Sequence, residues 1–190
     1  VIIATGHNVT LNVNTTNLLS ITINAGGTLS TTGAFTVNAT TITVDGTYTN
    51  VSTGNITVTT MNVNSGGTYT HGINAGTIPT ATWNAASTCN VTGVTSTIAG
   101  GLGQAFGNFT YNSSGQTGPE NLPGSGMSVA GNFQVLNTGG GQLRMSQTPL
   151  TITGNCTISD DFRIGSNGAA RTLNVAGNFI LNDYPHIVPQ

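Results

Sequence analysis

Four copies of one short phrase recur along the second half of the chain: Ala105-Phe106-Gly107-Asn108-Phe109, Val129-Ala130-Gly131-Asn132-Phe133, Ile152-Thr153-Gly154-Asn155-Cys156 and Val175-Ala176-Gly177-Asn178-Phe179. Their glycines stand 24, 23 and 23 residues apart. A fixed period of this length means that one structural unit is stacked on copies of itself, each burying its neighbour's apolar surface. The first half repeats as well. Ile23-Asn24-Ala25-Gly26-Gly27-Thr28-Leu29 returns as Val63-Asn64-Ser65-Gly66-Gly67-Thr68-Tyr69, with Asp45-Gly46-Thr47-Tyr48 roughly midway. That spacing makes two units of about 20 residues.

Within each unit, apolar and polar residues alternate with period two, as in Val9-Thr10-Leu11-Asn12-Val13, Leu19-Ser20-Ile21-Thr22-Ile23 and Ile42-Thr43-Val44. Such alternation marks half-buried strands. Glycines punctuate them closely enough to leave no room for a helix of three turns. The expected fold is therefore all-β: a right-handed parallel β-helix, a β-solenoid with coils of about 20–24 residues and three short strands per turn. An immunoglobulin-like sandwich has similar strand spacing but lacks this self-similarity at twice the interval. Residues 1–190 read as one continuous solenoid segment. The coils are shorter over 1–80 and longer over 81–190, and a loop near 113–126, around Gly118-Pro119-Glu120-Asn121-Leu122-Pro123-Gly124, is expected to leave the stack. Chain ends on strand-like sequence suggest a piece of a longer protein.

Aligning the later units on their glycine predicts the core face. Leu173, Val175, Phe179 and Leu181 match Leu150, Ile152, Cys156 and Ile158, and then Met127, Val129, Phe133 and Val135. All share one parity, so these side chains should stack inward in rows. The glycine is expected at a corner where backbones approach closely, and the following Asn as a ladder that satisfies backbone groups at the bend.

Charge is nearly absent. Only 4% of residues are charged, the three cations are all arginines, and Asp45 is the single formal charge in the first 119 residues. Nucleic acid, whose capture needs clustered Lys and Arg, is thereby disfavoured as a partner. No stretch of about 18 apolar residues exists to cross a bilayer as a helix. The abundant β-branched residues argue against disorder. A polarity carried by Thr, Asn, Ser and Gly fits a secreted, β-rich surface protein.

Several residues invite a chemical reading. Cys89 and Cys156 lie about three coils apart, or about 14 Å along the axis, too far for a disulfide. Two buried free thiols are expected. Asp160, Asp161 and Arg163 form the one tight group of charges. Paired carboxylates cut glycosidic bonds in some β-helices, but adjacent residues on a strand face opposite ways. A capped turn with a surface ion pair is the simpler reading. His7, His71 and His186 show no metal spacing and are expected at turns or on the surface. The Thr-x-Thr pairs at 41/43, 47/49, 57/59, 68/70, 80/82 and 151/153 would suggest ice binding if they shared a face, but their irregular intervals assign them to β-propensity. Nine Asn-x-Ser/Thr sequons, at Asn8, Asn14, Asn38, Asn50, Asn55, Asn90, Asn108, Asn112 and Asn155, follow from the composition. No catalytic, cofactor-binding or metal-binding set emerges.

The opening Val1-Ile2-Ile3-Ala4-Thr5-Gly6-His7-Asn8-Val9-Thr10-Leu11, the Gly-Gly-Thr-Leu units and the string from Ala81-Thr82-Trp83-Asn84 through Cys89-Asn90-Val91-Thr92-Gly93 to Gly107-Asn108-Phe109-Thr110 resemble the repetitive stalks of large secreted and cell-surface proteins of Bacteroidetes. That resemblance implies export by the type 9 secretion system and a structural or adhesive role as scaffold, stalk or filament component, without enzymatic activity. The implied partners are further coils of the same protein or another copy, a cell-surface glycan, or the secretion machinery. The alternative is a carbohydrate-binding or polysaccharide-cleaving β-helix using residues 113–126, Trp83 and the Asp160 region.

Overall fold

The computed structural model describes residues 1–165 and 171–182; Asp183 and His186 lie outside the described residues. Among the described residues there are strands and no helix. The organising element is a nine-stranded sheet with one strand per coil: Asn8–Leu11, Thr28–Thr31, Thr47–Asn50, Thr68–His71, Thr88–Val91, Asn108–Asn112, Phe133–Asn137, Cys156–Ile158 and Phe179–Leu181. Neighbouring strands are parallel and come from successive coils, so the chain is a β-solenoid of about nine turns.

A second side precedes the long sheet in each coil. Its five-stranded part comprises Ile2–Ile3, Leu18–Ile23, Val37–Val44, Ile56–Val63 and Thr82–Trp83. A four-stranded part carries it on through Ala105–Phe106, Ser128–Val129, Leu150–Ile152 and Leu173–Val175. The two parts meet at a seam that no strand pairing crosses. There the Gln104 side chain supplies the bonds: Trp83 Nε1 and the Ala81 amide donate to its Oε1 at 2.8 and 3.1 Å, and its Nε2 donates to Pro79 O at 3.3 Å.

The third side changes character along the axis. In the early coils it is the first half of the long strands: Val37 and Ala39 point inward, Thr40 and Thr41 do not, and Ile42 and Val44 point inward again. That break in alternation is a corner inside one strand. In the later coils the third side is a sheet of its own, Pro119–Asn121, Gln142–Met145 and Phe162–Ile164. Segment 113–126 therefore does not simply leave the stack. Pro119–Asn121 pairs with Gln142–Arg144, and buried Gln116 clamps the segment down. Tyr111 Oη donates to Gln116 Oε1 at 2.6 Å, while Gln116 Nε2 donates to Gly118 O at 2.6 Å and Gln142 O at 2.9 Å. Pro119 reads as a breaker in sequence, yet at the first position of a short strand its missing N–H costs little.

Along the nine-stranded sheet, partners recur after 19 to 21 residues as far as Phe109 and after 23 to 25 from Phe109 onward. The inward rows predicted from the aligned glycines are present through Ile158: Met127, Val129, Phe133, Val135, Leu150, Ile152, Cys156 and Ile158 are all buried, whereas in the last coil Leu173 and Val175 are half-buried and Phe179 and Leu181 are exposed. A spine of rings runs through the core, Tyr48, Tyr69, Trp83, Phe106, Phe109, Phe133 and Phe162, with successive centroids 5.0 to 6.3 Å apart. Contacts between aromatic edges and faces in this range add to the burial energy of each ring.

The corner between the second side and the long sheet is built in two ways. In early coils it is a turn in which the Gly27 amide donates to Asn24 O at 2.8 Å, with Gly26 at φ 74°. Coils from Gly131 onward use the Gly-Asn phrase. The Gly131 and Gly154 amides donate to the glycine carbonyl one coil earlier at 2.7 and 2.9 Å. The next amide has no carbonyl to reach, and the asparagine side chain takes that place: Asn132, Asn155 and Asn178 donate their N–H to Oδ1 of Asn108, Asn132 and Asn155 at 2.8, 2.9 and 2.8 Å. Asn is thus the expected ladder. Glycine is required for space, since a Cβ on Gly154 would lie 2.4 Å from Gly131 O.

Candidate functional site

The two cysteines occupy one inward row, Cys89, Phe109, Phe133 and Cys156, three coils apart with two phenyl rings between them. Both are free and buried. Burial pushes the Cys89 thiol far above its ordinary range and Cys156 up to about 12. Neither is a nucleophile at neutral pH, because the thiolate is the reactive form.

His71 departs from the expected surface position. It points inward on the long sheet between Asn50 and Val91 and is fully buried. Its Nε2 faces Ala75 O at 2.7 Å, its Nδ1 has no partner, and burial holds its pKa below the usual histidine value. Thr31, Asn50 and the hydroxyls of Tyr48 and Tyr69 form a polar patch beside it in the core. Thr31 Oγ1 donates to Asn50 Oδ1 at 2.7 Å, and the Ser52 amide donates to the same oxygen at 3.2 Å. The two tyrosine hydroxyls complete no hydrogen bond although Thr31 and Asn50 stand next to them, and burial raises both pKa values. His7 is exposed, with Nδ1 3.2 Å from Thr5 O.

The charged group at the end of the long sheet's eighth strand is committed to backbone and amide contacts. Asp160 accepts from the Thr138 amide at 2.7 Å and from the Asp161 amide at 2.8 Å, and Asp161 accepts from Gln142 Nε2 at 3.1 Å. Arg163 stands in register beside Arg144, which donates from Nε to Gln142 Oε1 at 2.6 Å. Asp160 thus caps a turn as expected, while Arg163 has a like charge as its strand neighbour. Trp83 is half-buried, packed between Tyr69 and Phe106 with its N–H held by Gln104.

Among the described residues, no three His, Cys, Asp or Glu side chains converge as a metal set. Two clefts flank the third side, one of about 250 Å³ beside Gly54 and Thr77 and one of about 320 Å³ beside Ile98 and Asn121; both are lined by uncharged residues. Their linings supply no acid, base or charged clamp.

The largest regular surface is the outer face of the nine-stranded sheet. Strand register sets Asn8, Thr28, Thr47, Thr68, Thr88 and Asn108 in one rank, and Thr10, Ser30, Thr49, Thr70, Asn90 and Thr110 in a second. The Thr-x-Thr pairs at 41/43 and 151/153 belong to the second side and 57/59 to the third, so the six pairs do not share a face. The spacing of Thr-x-Thr pairs does not reveal the rank members that are not Thr-x-Thr. Ser30, Asn90, Asn8 and Asn108 complete the ranks that Thr47/Thr49 and Thr68/Thr70 begin.

Comparison of the chain with protein-family models, curated proteins and solved structures finds no match in any of the three.

Proposed function

We propose that this chain is a structural segment of a secreted bacterial surface protein, working as a scaffold, stalk or filament component, and that it is not an enzyme. The observation that carries this reading is the use of its polar groups: Asn108, Asn132, Asn155, Gln104, Gln116 and Asp160 all bond from one coil to another. Each added coil contributes a ladder of backbone bonds and a row of buried side chains, so length is gained at constant stability per unit. Further coils or a second copy are the natural partners of the end coils, where Val9 is 37% exposed and Phe179 and Leu181 are 43% and 50% exposed. The surface location and the adhesive role rest on the low charge and on the stalk-like sequence of the repeats.

The test is a broad panel of soluble and particulate polysaccharides, read for binding and for chain cleavage, alongside protease accessibility of the protein on intact cells. Surface exposure with no binding and no cleavage is the expected result. Polysaccharide binding or depolymerisation that disappears in Asp160→Asn or Asp161→Asn would replace the scaffold with a carbohydrate-active protein.

A further inference from the structure

We propose that the outer face of the nine-stranded sheet is an ice-adsorbing surface, built from the two ranks that run from Asn8/Thr10 to Asn108/Thr110. Six consecutive strands pair residue for residue across this stretch, and the first register shift comes only beyond Tyr111. Equivalent positions therefore repeat at about 4.8 Å along the axis and, two residues apart on a strand, at about 6.7 Å across it. The short edge of that net is close to the shortest lattice repeat of hexagonal ice, and the long edge is near its c-axis repeat. A threonine suits such a surface because its hydroxyl bonds to water while its methyl packs on the next rank member and fixes the rotamer.

The ranks carry no charged and no aromatic side chain. Charges would break an ordered water layer by binding their own hydration shells. Crystalline polysaccharides are held by stacked exposed rings, which this face lacks. The hydroxyls of Thr28, Thr47, Thr49, Thr68 and Thr70 are half-buried side by side but open to water. Directly behind the central pairs sit Tyr48 and Tyr69, fully buried, with centroids 5.4 Å apart, so the net is backed by a rigid core. The second side also carries polar pairs, Ser20/Thr22, Thr41/Thr43 and Thr60/Asn62, but its regular array stops at the Gln104 seam.

The experiment measures inhibition of ice recrystallisation and thermal hysteresis with the purified chain. It is compared with Thr49→Lys/Thr70→Lys on the ranks and with Thr57→Lys/Thr59→Lys on the third side, and thermal melts report folding. The proposal expects both activities in the parent and in the third-side variant, and their loss in the rank variant at unchanged melting temperature. If the double rank variant melts early, Thr70→Lys alone carries the same comparison. An inactive parent, equal loss in both variants, or retention of pure crystalline chitin or cellulose by this face without any effect on ice would each overturn it. An inactive parent or equal loss in both variants leaves the scaffold reading standing, because that reading does not depend on this face; retention of chitin or cellulose would count against it as well.

Discussion

Gly154 shows how one hydrogen atom in place of a methyl decides whether two coils can meet. A Cβ there would sit 2.4 and 2.5 Å from the O and C of Gly131, and backbone flanked by ladder bonds on both sides cannot yield. Gly154→Ala should therefore cost about 3 kcal/mol in chemical denaturation, by the overpacking route. Gly118, around which a Cβ meets nothing within 4 Å, is the matched control, and Gly118→Ala should leave the midpoint unchanged. His71 adds a pH dependence whose sign is fixed by burial. Its folded pKa lies below the ordinary value, so below about pH 6.5 the unfolded chain takes up a proton that the folded chain refuses. Stability is complete above that pH and falls as pH drops toward the folded pKa. Melting should be lower near pH 5 than near pH 7.5, and the step should shrink in His71→Asn, which copies its strand neighbour Asn50. An unchanged step would mean that another group carries it. The Gly-Asn ladder was legible because both residues recur at one place in every late coil. His71 was not, since a single histidine shows its inward parity only once Tyr69 is known to point inward.

At the scale of the element, the seam between the two parts of the second side has no strand pairing, and its hydrogen bonds come from one side chain, Gln104, beside the Trp83–Phe106 contact. Gln104→Ala strands Trp83 Nε1 and the Ala81 amide, and should cost about 1–3 kcal/mol. Hydrogen exchange at Ala81 should speed up in that variant, whereas Gln104→Glu keeps the acceptor and should lose less. Protection at Ala81 that survives Gln104→Ala would show that strand pairing crosses the seam after all. Strands of the long sheet could be read from alternation and from Gly-Gly-Thr or Gly-Asn starts. The third side could not be read so easily. In early coils it hides inside long alternating strands that turn a corner at Thr40 and Thr41, and in later coils it begins at Pro119, a residue that signals a loop unless the next coil is present to pair with it.

For the whole molecule, periodicity specified the stack, and near-absence of charge is what allows a solenoid of this kind to have broad uncharged faces. What the period could not specify was which outward residues align. Coils of 19, 20 and 21 residues keep the strands in register by absorbing the difference at corners, so equal spacing in space becomes unequal spacing in sequence. Ser30 and Asn90 then conceal the ranks further. The central claim is that residues one coil apart lie one strand spacing apart along a single axis. Pulsed electron resonance between spin labels placed on Thr10→Cys and, in turn, Thr70→Cys, Thr110→Cys and Thr157→Cys measures this directly, with Cys89 and Cys156 shielded by burial. These positions are three, five and seven strands from Thr10 on the outer face. The account predicts distances rising linearly, about 14, 24 and 34 Å. Distances that level off or fall between the second and third pair would contradict a single straight stack.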